Sequence, residues 1–246
     1  MSVTNQHAGT RIDAIADGIY RISTPIAPNP GLPEGFTFNQ FLIVDDDPVL
    51  FHTGPRRMFP LVREAVSTVM PVEKLRWVSF SHFEADECGS LNEWLAVAPR
   101  AEPLCSRVGA MVSINDVSER PARALADGEV LEIGGKRLRW FDAPHLPHGW
   151  DGGFIADITT RTLFCGDLFT QGRPDGEPVT EREILGPSMR FGTEYYANPA
   201  GAGPLLERLA SSEPALLACM HGSSYRGDGA ALLRQLGIAL AGGQRS

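Results

Sequence analysis

Three side chains that can bind metal ions alternate in one short stretch of the chain. They are His82, Glu84 and Asp86, and they follow the apolar residues 77–80, which read as the end of a strand. In an extended or loosely turning loop, this alternation lets two side chains face one cation while the third faces a neighbouring cation. The spacing is therefore compatible with a cavity that holds two metal ions.

Three more residues of ligand type each follow an apolar stretch later in the chain. These are His145 after residues 140–144, Asp167 after residues 163–165, and His221 after residues 216–220. A single histidine at a strand end is more often a structural residue than a metal ligand. The four strand ends taken together, in this order, are what favours a metal site.

The run His-x-Glu-x-Asp, followed by His, Cys-Gly-Asp and His-Gly, resembles the metallo-β-lactamase superfamily and, within it, the flavodiiron-like branch. Hydrolytic members usually have histidine at the position of Glu84, whereas the di-iron members that reduce oxygen or nitric oxide have glutamate. Carboxylate oxygens favour iron or manganese relative to an all-imidazole zinc pocket. The resemblance covers nearly the whole chain, from residues 36–43 to His221 and Gly222.

The resemblance implies an α/β fold of the metallo-β-lactamase type, an αβ/βα four-layer sandwich formed by a single domain over residues 1–246. Two mixed sheets then pack face to face, with helices outside and the metal ions at one sheet edge. Two iron ions are expected, with zinc or manganese as alternatives. The implied ligands are His82, Glu84 and His145 for one ion, Asp86 and His221 for the other, and Asp167 as the bridge.

The position after Asp86 departs from the family pattern, which has a histidine there. Here the residue is Glu87, which either ligates in place of the imidazole or points away and leaves an open coordination position. The second interpretation is favoured. A stand-alone oxygen-binding di-iron subgroup, which lacks the fused flavodoxin domain, resembles this chain best, and no flavin is expected in this chain.

A second histidine, His148, lies three residues after His145, and the family pattern assigns the ligand to the first of the two. His148 either donates a hydrogen bond to a ligand or to bound dioxygen, or faces solvent in a loop. Together with Glu87 it is a candidate catalytic residue.

Two further features near the ligands have structural interpretations. His52 follows a strand at a position where the superfamily commonly has aspartate, and a structural role is expected for it. Tyr195 and Tyr196 supply aromatic bulk that either walls the cavity or packs in the core.

Hydrophobic spacing predicts the elements that must position these residues. Alternating and β-branched stretches predict strands at residues 17–23, 38–44, 49–52, 75–80, 130–133, 137–141, 153–157 and 162–165. Apolar residues three and four apart predict helices at residues 59–68, 91–96, 204–210 and 229–241. The glycines at 134–135 and the turn at 159–161 predict two antiparallel hairpins. Residues 25–35 and 172–178 are rich in Gly and Pro and predict long surface loops.

Composition restricts the classes of partner. The chain has 246 residues, 43% of them hydrophobic and 21% charged, which is typical of a folded domain. The formal net charge is −8 and the 22 lysines and arginines are scattered, so nucleic acid is not expected as a partner. No apolar run reaches the roughly 20 residues of a membrane span, and the polar start is unlike a signal peptide, so a cytoplasmic location is expected. The four cysteines lack metal-binding spacing and are expected to be free thiols.

The function implied by the resemblance is binding of dioxygen at a di-iron centre, either to sense it or to reduce it with electrons from an external partner. A different small molecule and a homodimeric assembly are left open. The alternative is a hydrolase in which a metal-bridging hydroxide attacks an ester, lactone or phosphodiester. The same six ligands suit both, so the sequence does not decide between an oxidoreductase, an oxygen sensor and a hydrolase.

Overall fold

The strands of this protein form two sheets. The computed structural model describes residues 2–173 and 176–242, and within them one sheet has eight strands and the other seven. The first sheet contains, in chain order and in sheet order, β1 (Ser2–Asn5), β2 (Thr10–Ala16), β3 (Ile19–Ile26), β4 (Phe36–Ile43), β5 (Val49–Phe51), β6 (Trp77–Ser79), β7 (Glu102–Ser106) and β8 (Arg123–Leu125). The second contains β9 (Val130–Glu132), β10 (Arg137–Asp142), β11 (Gly153–Asp157), β12 (Thr162–Phe164), β13 (Val179–Thr180), β14 (Leu216–Ala218) and β15 (Ser224–Arg226). Its order is β13-β15-β14-β12-β11-β10-β9.

Helices connect the strands and pack on the sheets. In the described ranges the α-helices are α1 (Phe59–Ser67), α2 (Ala85–Cys88), α3 (Leu91–Val97), α4 (Arg107–Gly109), α5 (Asn115–Val117), α6 (Leu185–Phe191), α7 (Ala202–Ala210) and α8 (Gly229–Gly242). A π-helix, Ala110–Ile114, joins α4 to α5. The helices that the sequence predicts correspond to α1, α3, α7 and α8, and each is confirmed within two residues at both ends.

Side chains alternate across the strands, and this alternation creates the layers. In β5, Val49 and Phe51 pack in the core between the two sheets, whereas Leu50 packs in the core beneath α1 and α3. In β14, Leu216 packs between the sheets, whereas Leu217 packs in the core beneath α7 and α8. Because successive side chains of a strand point to opposite faces, a sheet covered on both faces is apolar at consecutive positions. The result is the expected four-layer αβ/βα sandwich.

The two predicted hairpins are confirmed. In the first, β9 pairs antiparallel with β10, with Glu132 opposite Arg137. In the second, β11 pairs antiparallel with β12, with Asp157 opposite Thr162. The eight predicted strands correspond to β3, β4, β5, β6, β9, β10, β11 and β12. The apolar stretch 216–220 before His221 corresponds to β14, whereas strands β1, β2, β7, β8, β13 and β15 were not among the predicted ones.

Strand direction brings the ligand loops to one edge. In the second sheet β12 is parallel to β14, and β10 has the same direction because it is antiparallel to β11, which is antiparallel to β12. The carboxyl ends of these three strands therefore meet at one edge. The loop after β6 of the first sheet lies against this edge, since the Gly153 amide donates a 2.8 Å hydrogen bond to the Ser81 carbonyl.

Some sequence predictions concern features away from the site. All four cysteines are free and buried. None of the helices in the described ranges has both the length and the apolar character needed to cross a membrane. Residues 174 and 175 of the predicted loop 172–178, and Met1 and residues 243–246 of the expected domain, lie outside the described residues.

Candidate metal centre

The loop after β6 carries the first three predicted ligands. His82 is buried, and its Nε2 atom lies 2.9 Å from Oε2 of Glu84, whose side chain is half exposed. Asp86 lies in the first turn of α2, and its Oδ2 atom is 3.5 Å from Nε2 of His221 at the end of β14. The first and last of the predicted ligand segments are thus in contact.

Three histidines face the site with the same ring nitrogen. His221 donates from Nδ1 to the carbonyl of Thr37 at 2.8 Å, and Nδ1 of His148 lies 2.9 Å from the carbonyl of Tyr195. Nδ1 of His82 lies 3.1 Å from Oγ of Ser81. A carbonyl oxygen can only accept, so Nδ1 of His221 and of His148 carries a proton. In the neutral form of these rings the lone pair is then on Nε2, which is the atom that faces the carboxylates and is able to bind a metal ion.

Asp167 lies between the histidines. Its Oδ2 atom is 3.8 Å from Nε2 of His82 and 3.5 Å from Nε2 of His148, whereas Oδ1 is 3.4 Å from Nε2 of His221. Burial alone would raise the pKa of Asp167, but the hydrogen bond and charge of His221 outweigh burial and lower it to about 2. The two oxygens of one ionised carboxylate therefore face two different groups of ligand-type side chains.

Electrostatics also hold Glu84 ionised. Its Oε2 atom lies 2.9 Å from Nε2 of both His148 and His82, and these two hydrogen bonds keep the pKa of Glu84 below its usual range. The same hydrogen bond to Glu84 is the main reason why the pKa of His148 is raised. On the other side of the site, burial would lower the pKa of His221, but Asp167 and Asp86 raise it to about 10.

The structure places His148, and not His145, among the ligand-type residues. His145 is exposed, has a φ of 64°, and donates from its backbone amide to the Gly149 carbonyl at 2.7 Å. This turn carries the chain back toward the site, so that the next histidine reaches Glu84. The sequence contains a signal for this choice, because His148 and His221 are each followed by a glycine at positive φ, Gly149 and Gly222.

Those two glycines are required by close packing as well as by φ. A Cβ atom at Gly149 would lie 3.2 Å from Cβ of His82, and one at Gly222 would lie 2.6 Å from Cβ of Gln171. At both positions an L side chain is strained by the positive φ. At Gly222 it would also collide with Gln171, whereas at Gly149 it would make a tight contact with His82. The loops that contain Gly149 and Gly222 can therefore pack closely against His82 and Gln171.

Glu87 does not point out of the site. It is fully buried in α2, and its Oε2 atom is 4.0 Å from Nε2 of His82. Burial, and then the charges of Asp167 and Asp86, raise the pKa of Glu87 well above its usual value. The sequence favoured a Glu87 side chain that turns away and leaves a coordination position open. In the structure its carboxyl group lies inside the site instead.

Four residues around the histidines of the site were missed, or were assigned another role, in the predictions from sequence: Ser81, His52, Thr37 and Tyr195. Ser81 contacts His82 and also His52, whose Nε2 lies 3.1 Å from Oγ of Ser81 and accepts from its backbone amide at 3.3 Å. Burial lowers the pKa of His52 to about 3, so its ring is neutral. Thr37 and Tyr195 act through their backbone carbonyls, and for such contacts the residue type gives no signal.

The donor set suits metal ions. His82, Glu84, His148 and Asp167 each offer one atom within 4.8 Å of the others, and so do Glu84, Asp86 and Glu87. Carboxylates and histidines converge here, and the Nδ1 atoms of the histidines are already hydrogen bonded. Such an arrangement is typical of two adjacent cation sites. We call the first group, with His82 and His148, the outer site, and we call Asp86, His221 and the facing Oδ1 of Asp167 the inner site.

Comparison with known proteins identifies the family of this chain and several relatives. A family model described as ODP family beta lactamase matches residues 36–222. A putative diflavin flavoprotein A 1 of Thermosynechococcus vestitus is 29% identical over 202 residues, which are 79% of this chain and 35% of the relative. The rubredoxin-oxygen oxidoreductase of Megalodesulfovibrio gigas is 24% identical over 170 residues, 68% of this chain and 42% of the relative. The chain thus spans less than half the length of these curated relatives.

A solved structure confirms the fold. The structure of a mutant of the flavo di-iron protein from Thermotoga maritima superimposes with a TM-score of 0.83 at 19% identity. The match covers 94% of this chain and 61% of that one. At this level of identity the likeness establishes the sandwich and its topology.

Proposed function

The chain belongs to the ODP family of beta lactamases, and on this premise we propose that it holds two iron ions at the site and binds dioxygen there. The observation that carries the proposal is the position of Asp167. One of its oxygens faces His82 and His148, and the other faces His221. A carboxylate in this position can bind two cations at once, and the surrounding side chains provide further ligands for each of them.

The ligand types support iron as the metal. Each proposed site combines imidazole with carboxylate, the outer site through Glu84 and the inner site through Asp86. Oxygen ligands shift preference away from zinc and toward iron or manganese. The Thermotoga maritima structure is named a flavo di-iron protein, and a relative is named a rubredoxin-oxygen oxidoreductase. A bound iron pair would supply coordination positions and redox electrons for dioxygen, with the electrons restored by an external donor.

The residues of the chain control access. The side chains of His82, Asp167 and His221 are less than 10% exposed, whereas those of Glu84 and His148 are 50% and 30% exposed. A molecule from solvent therefore reaches the site past Glu84 and His148. Phe36 stacks on the ring of His221 with centroids 4.5 Å apart, which keeps the opposite side apolar. A small molecule such as dioxygen suits an opening bounded by these two side chains.

Metal analysis of protein purified without oxygen tests the proposal. We expect about two iron ions per chain and an absorbance change in stopped flow when the reduced protein meets dioxygen. Protein that binds iron but shows no such change, and consumes no dioxygen with a chemical reductant, would contradict the function. Protein that refuses iron and takes two zinc ions would contradict the metal as well.

One observation favours a second candidate, a binuclear metal-dependent hydrolase of an ester, lactone or phosphodiester. A cavity of about 430 Å³ opens beside Glu84 and is lined in part by Phe83, Leu91 and Val117. Dioxygen does not need this volume, whereas an organic substrate would fill it. Turnover of a nitrophenyl ester, a lactone or a bis-nitrophenyl phosphate by the zinc-loaded protein would establish this candidate, and absence of turnover would remove it.

A further inference from the structure

Glu87 is a buried acid that no cationic side chain of the described residues reaches within hydrogen-bonding distance. Its side chain is fully buried, and neither carboxylate oxygen has a hydrogen-bond partner among the described residues. The backbone of Glu87 is fixed, because its carbonyl accepts a 2.7 Å hydrogen bond from the amide of Thr53. The position of the side chain is thus set by the turn that carries it.

The surroundings of Glu87 are acidic on one side and imidazole on the other. With Glu84 and Asp86 it forms a group whose oxygens lie within 4.8 Å of one another, and Nε2 of His82 is 4.0 Å away. A buried ionised carboxylate without a partner costs several kcal/mol, so such a group either keeps a proton or binds a cation. Among three converging carboxylates, a cation satisfies all of them together.

We propose that Glu87 is a ligand of the metal ion at the inner site, beside Asp86, His221 and Asp167. This inference rests on the proposed two-metal centre and extends it. The position that the family pattern gives to a neutral imidazole is then filled by an anion. The inner site then has three carboxylates and one imidazole, whereas the outer site has two carboxylates and two imidazoles.

Charge balance supports the assignment. With Glu87 ionised, the centre contains four carboxylates, namely Glu84, Asp86, Glu87 and Asp167. Four negative charges match two divalent cations, so the buried centre is neutral when both ions are bound. The carboxylate-rich inner site should prefer the harder cation, and manganese(II) or iron(II) should outcompete zinc there more strongly than at the outer site.

Manganese(II) binding provides a direct test, because it needs no turnover. Wild-type protein, Glu87→Gln and Glu87→His would be titrated with manganese(II) and followed by electron paramagnetic resonance and metal analysis. Glu87→Gln keeps the size of the side chain but removes its charge. Glu73→Gln, at an exposed position, is the control for the same chemical change. We expect two ions for wild type and control. In Glu87→Gln we expect an inner-site affinity at least about tenfold weaker, since even the loss of a residue that only hydrogen-bonds a metal ligand costs that much.

Thermal melting separates a ligand from a structural residue. A ligand is costly to bury without its ion, so metal-free Glu87→Gln should melt at or above the temperature of the metal-free wild type. Manganese should raise the melting temperature of the variant less than that of the wild type, because ligand binding stabilises only in proportion to affinity. A structural Glu87 would give the reverse pattern, a lower melting temperature without metal and an unchanged shift with it, and this result would overturn the proposal.

The two proposals fail in different ways. A wild-type protein that binds fewer than two ions contradicts the two-metal centre itself. Two ions in the wild type, with unchanged affinities in Glu87→Gln, overturn only the role of Glu87. Glu87→His should bind two ions with a preference shifted toward zinc. Should the variants not fold, a crystal structure of manganese-loaded wild type decides: an oxygen of Glu87 at about 2.2 Å from the inner ion supports the proposal, and Glu87 outside bonding distance overturns it.

Discussion

The Nε2 atom of His148 lies 2.9 Å from the Oε2 atom of Glu84. Nδ1 of the same ring faces the carbonyl of Tyr195 at 2.9 Å, so both ring nitrogens of His148 are in contact with acceptors. This is the arrangement of a protonated imidazole, and it agrees with the raised pKa of His148. In the metal-free protein a proton thus occupies the place where the proposed metal ion would bind, and metal binding must release it.

The first prediction compares the two histidines of the loop between β10 and β11. His148→Ala should weaken metal binding at the outer site at least about tenfold, because it removes a converging Nε2 atom. His145→Ala should leave the metal content unchanged, because His145 is exposed. Metal titration of both variants measures the difference. Loss of a metal ion from His145→Ala alone would restore the family-based assignment.

The second prediction concerns Asp167 as the bridge. Asp167→Ala should lose both ions, since one oxygen faces each site, whereas Asp86→Ala should lose mainly the inner one. Metal analysis and X-ray absorption of iron-loaded protein report the occupancy and the metal-to-metal distance. Full occupancy with an unchanged distance in Asp167→Ala is the result that would rule out bridging.

The third prediction concerns metal selectivity. Glu84→His replaces a carboxylate of the outer site by an imidazole, so preference should move from iron toward zinc. A change of roughly tenfold in relative affinity, about 1.4 kcal/mol, is the expected order of magnitude. Competition for limiting iron(II) and zinc under anaerobic conditions measures it. Equal selectivity in the two proteins would remove ligand hardness as the explanation.

The fourth prediction is the pH dependence of the metal-free protein. The pKa of His221 is raised from 6.5 to about 10 in the folded state, so the folded protein holds this proton more tightly than the unfolded chain. Its contribution to the free energy of unfolding is complete below about pH 6.5 and is lost as the pH rises toward about 10. The pKa of Asp167 is lowered from 3.8 to about 2, so its contribution is complete above about pH 4 and is lost as the pH falls toward about 2.

Urea unfolding at a series of pH values, with a chelator present, measures both limbs. His221→Gln should flatten the alkaline limb. Glu87→Gln removes the contribution of Glu87 to the pH dependence. The pKa of Glu87 is also raised, so the folded state again favours the protonated form and the free energy of unfolding again falls as the pH rises. A wild-type stability that does not fall between pH 6.5 and 10 would contradict the assignment to His221.

The fifth prediction concerns the glycine after His221. Gly222→Ala should destabilise the protein by about 1–3 kcal/mol and weaken the inner site, because φ is 91° and the new Cβ would meet Gln171. Gly203→Ala is the matched control, since a Cβ at Gly203 in α7 meets nothing within 4 Å. There alanine should stabilise the helix by up to about 1 kcal/mol. Equal effects of the two substitutions would show that packing at Gly222 is unimportant.

The fold was predictable because its strands are covered on both faces or alternate clearly. β10, β11 and β12 lie within two residues of the predicted strands, and the glycines at 134–135 form the turn between β9 and β10. The short β8 and β13 are different, since each lies at the end of its sheet and most of its side chains are not buried, so no apolar run marks it. Pairing partners, and not local pattern, determine such strands.

The site was predictable in its residue types but not in two of its choices. His145 and His148 follow the same apolar strand, and only the turn closed by the Gly149 carbonyl determines which ring faces Glu84. The burial of Glu87 depends on a backbone contact with Thr53, 34 positions earlier in the chain. Contacts of this kind are made in the folded protein by backbone atoms that all residues share. For the histidines the sequence offers one signal, the glycine that follows His148; for Glu87 it offers none.

The ligand-type residues come from both halves of the sandwich. His82, Glu84 and Asp86 follow a strand of the first sheet, whereas His148, Asp167 and His221 follow strands of the second. An ion held by both groups would link the two sheets at the edge where these loops meet. This link would lie far from the helices on the outer faces of the sheets. Metal loading should therefore slow the hydrogen exchange of backbone amides at this edge, by suppressing the motion that parts the sheets, and leave the opposite edge unchanged.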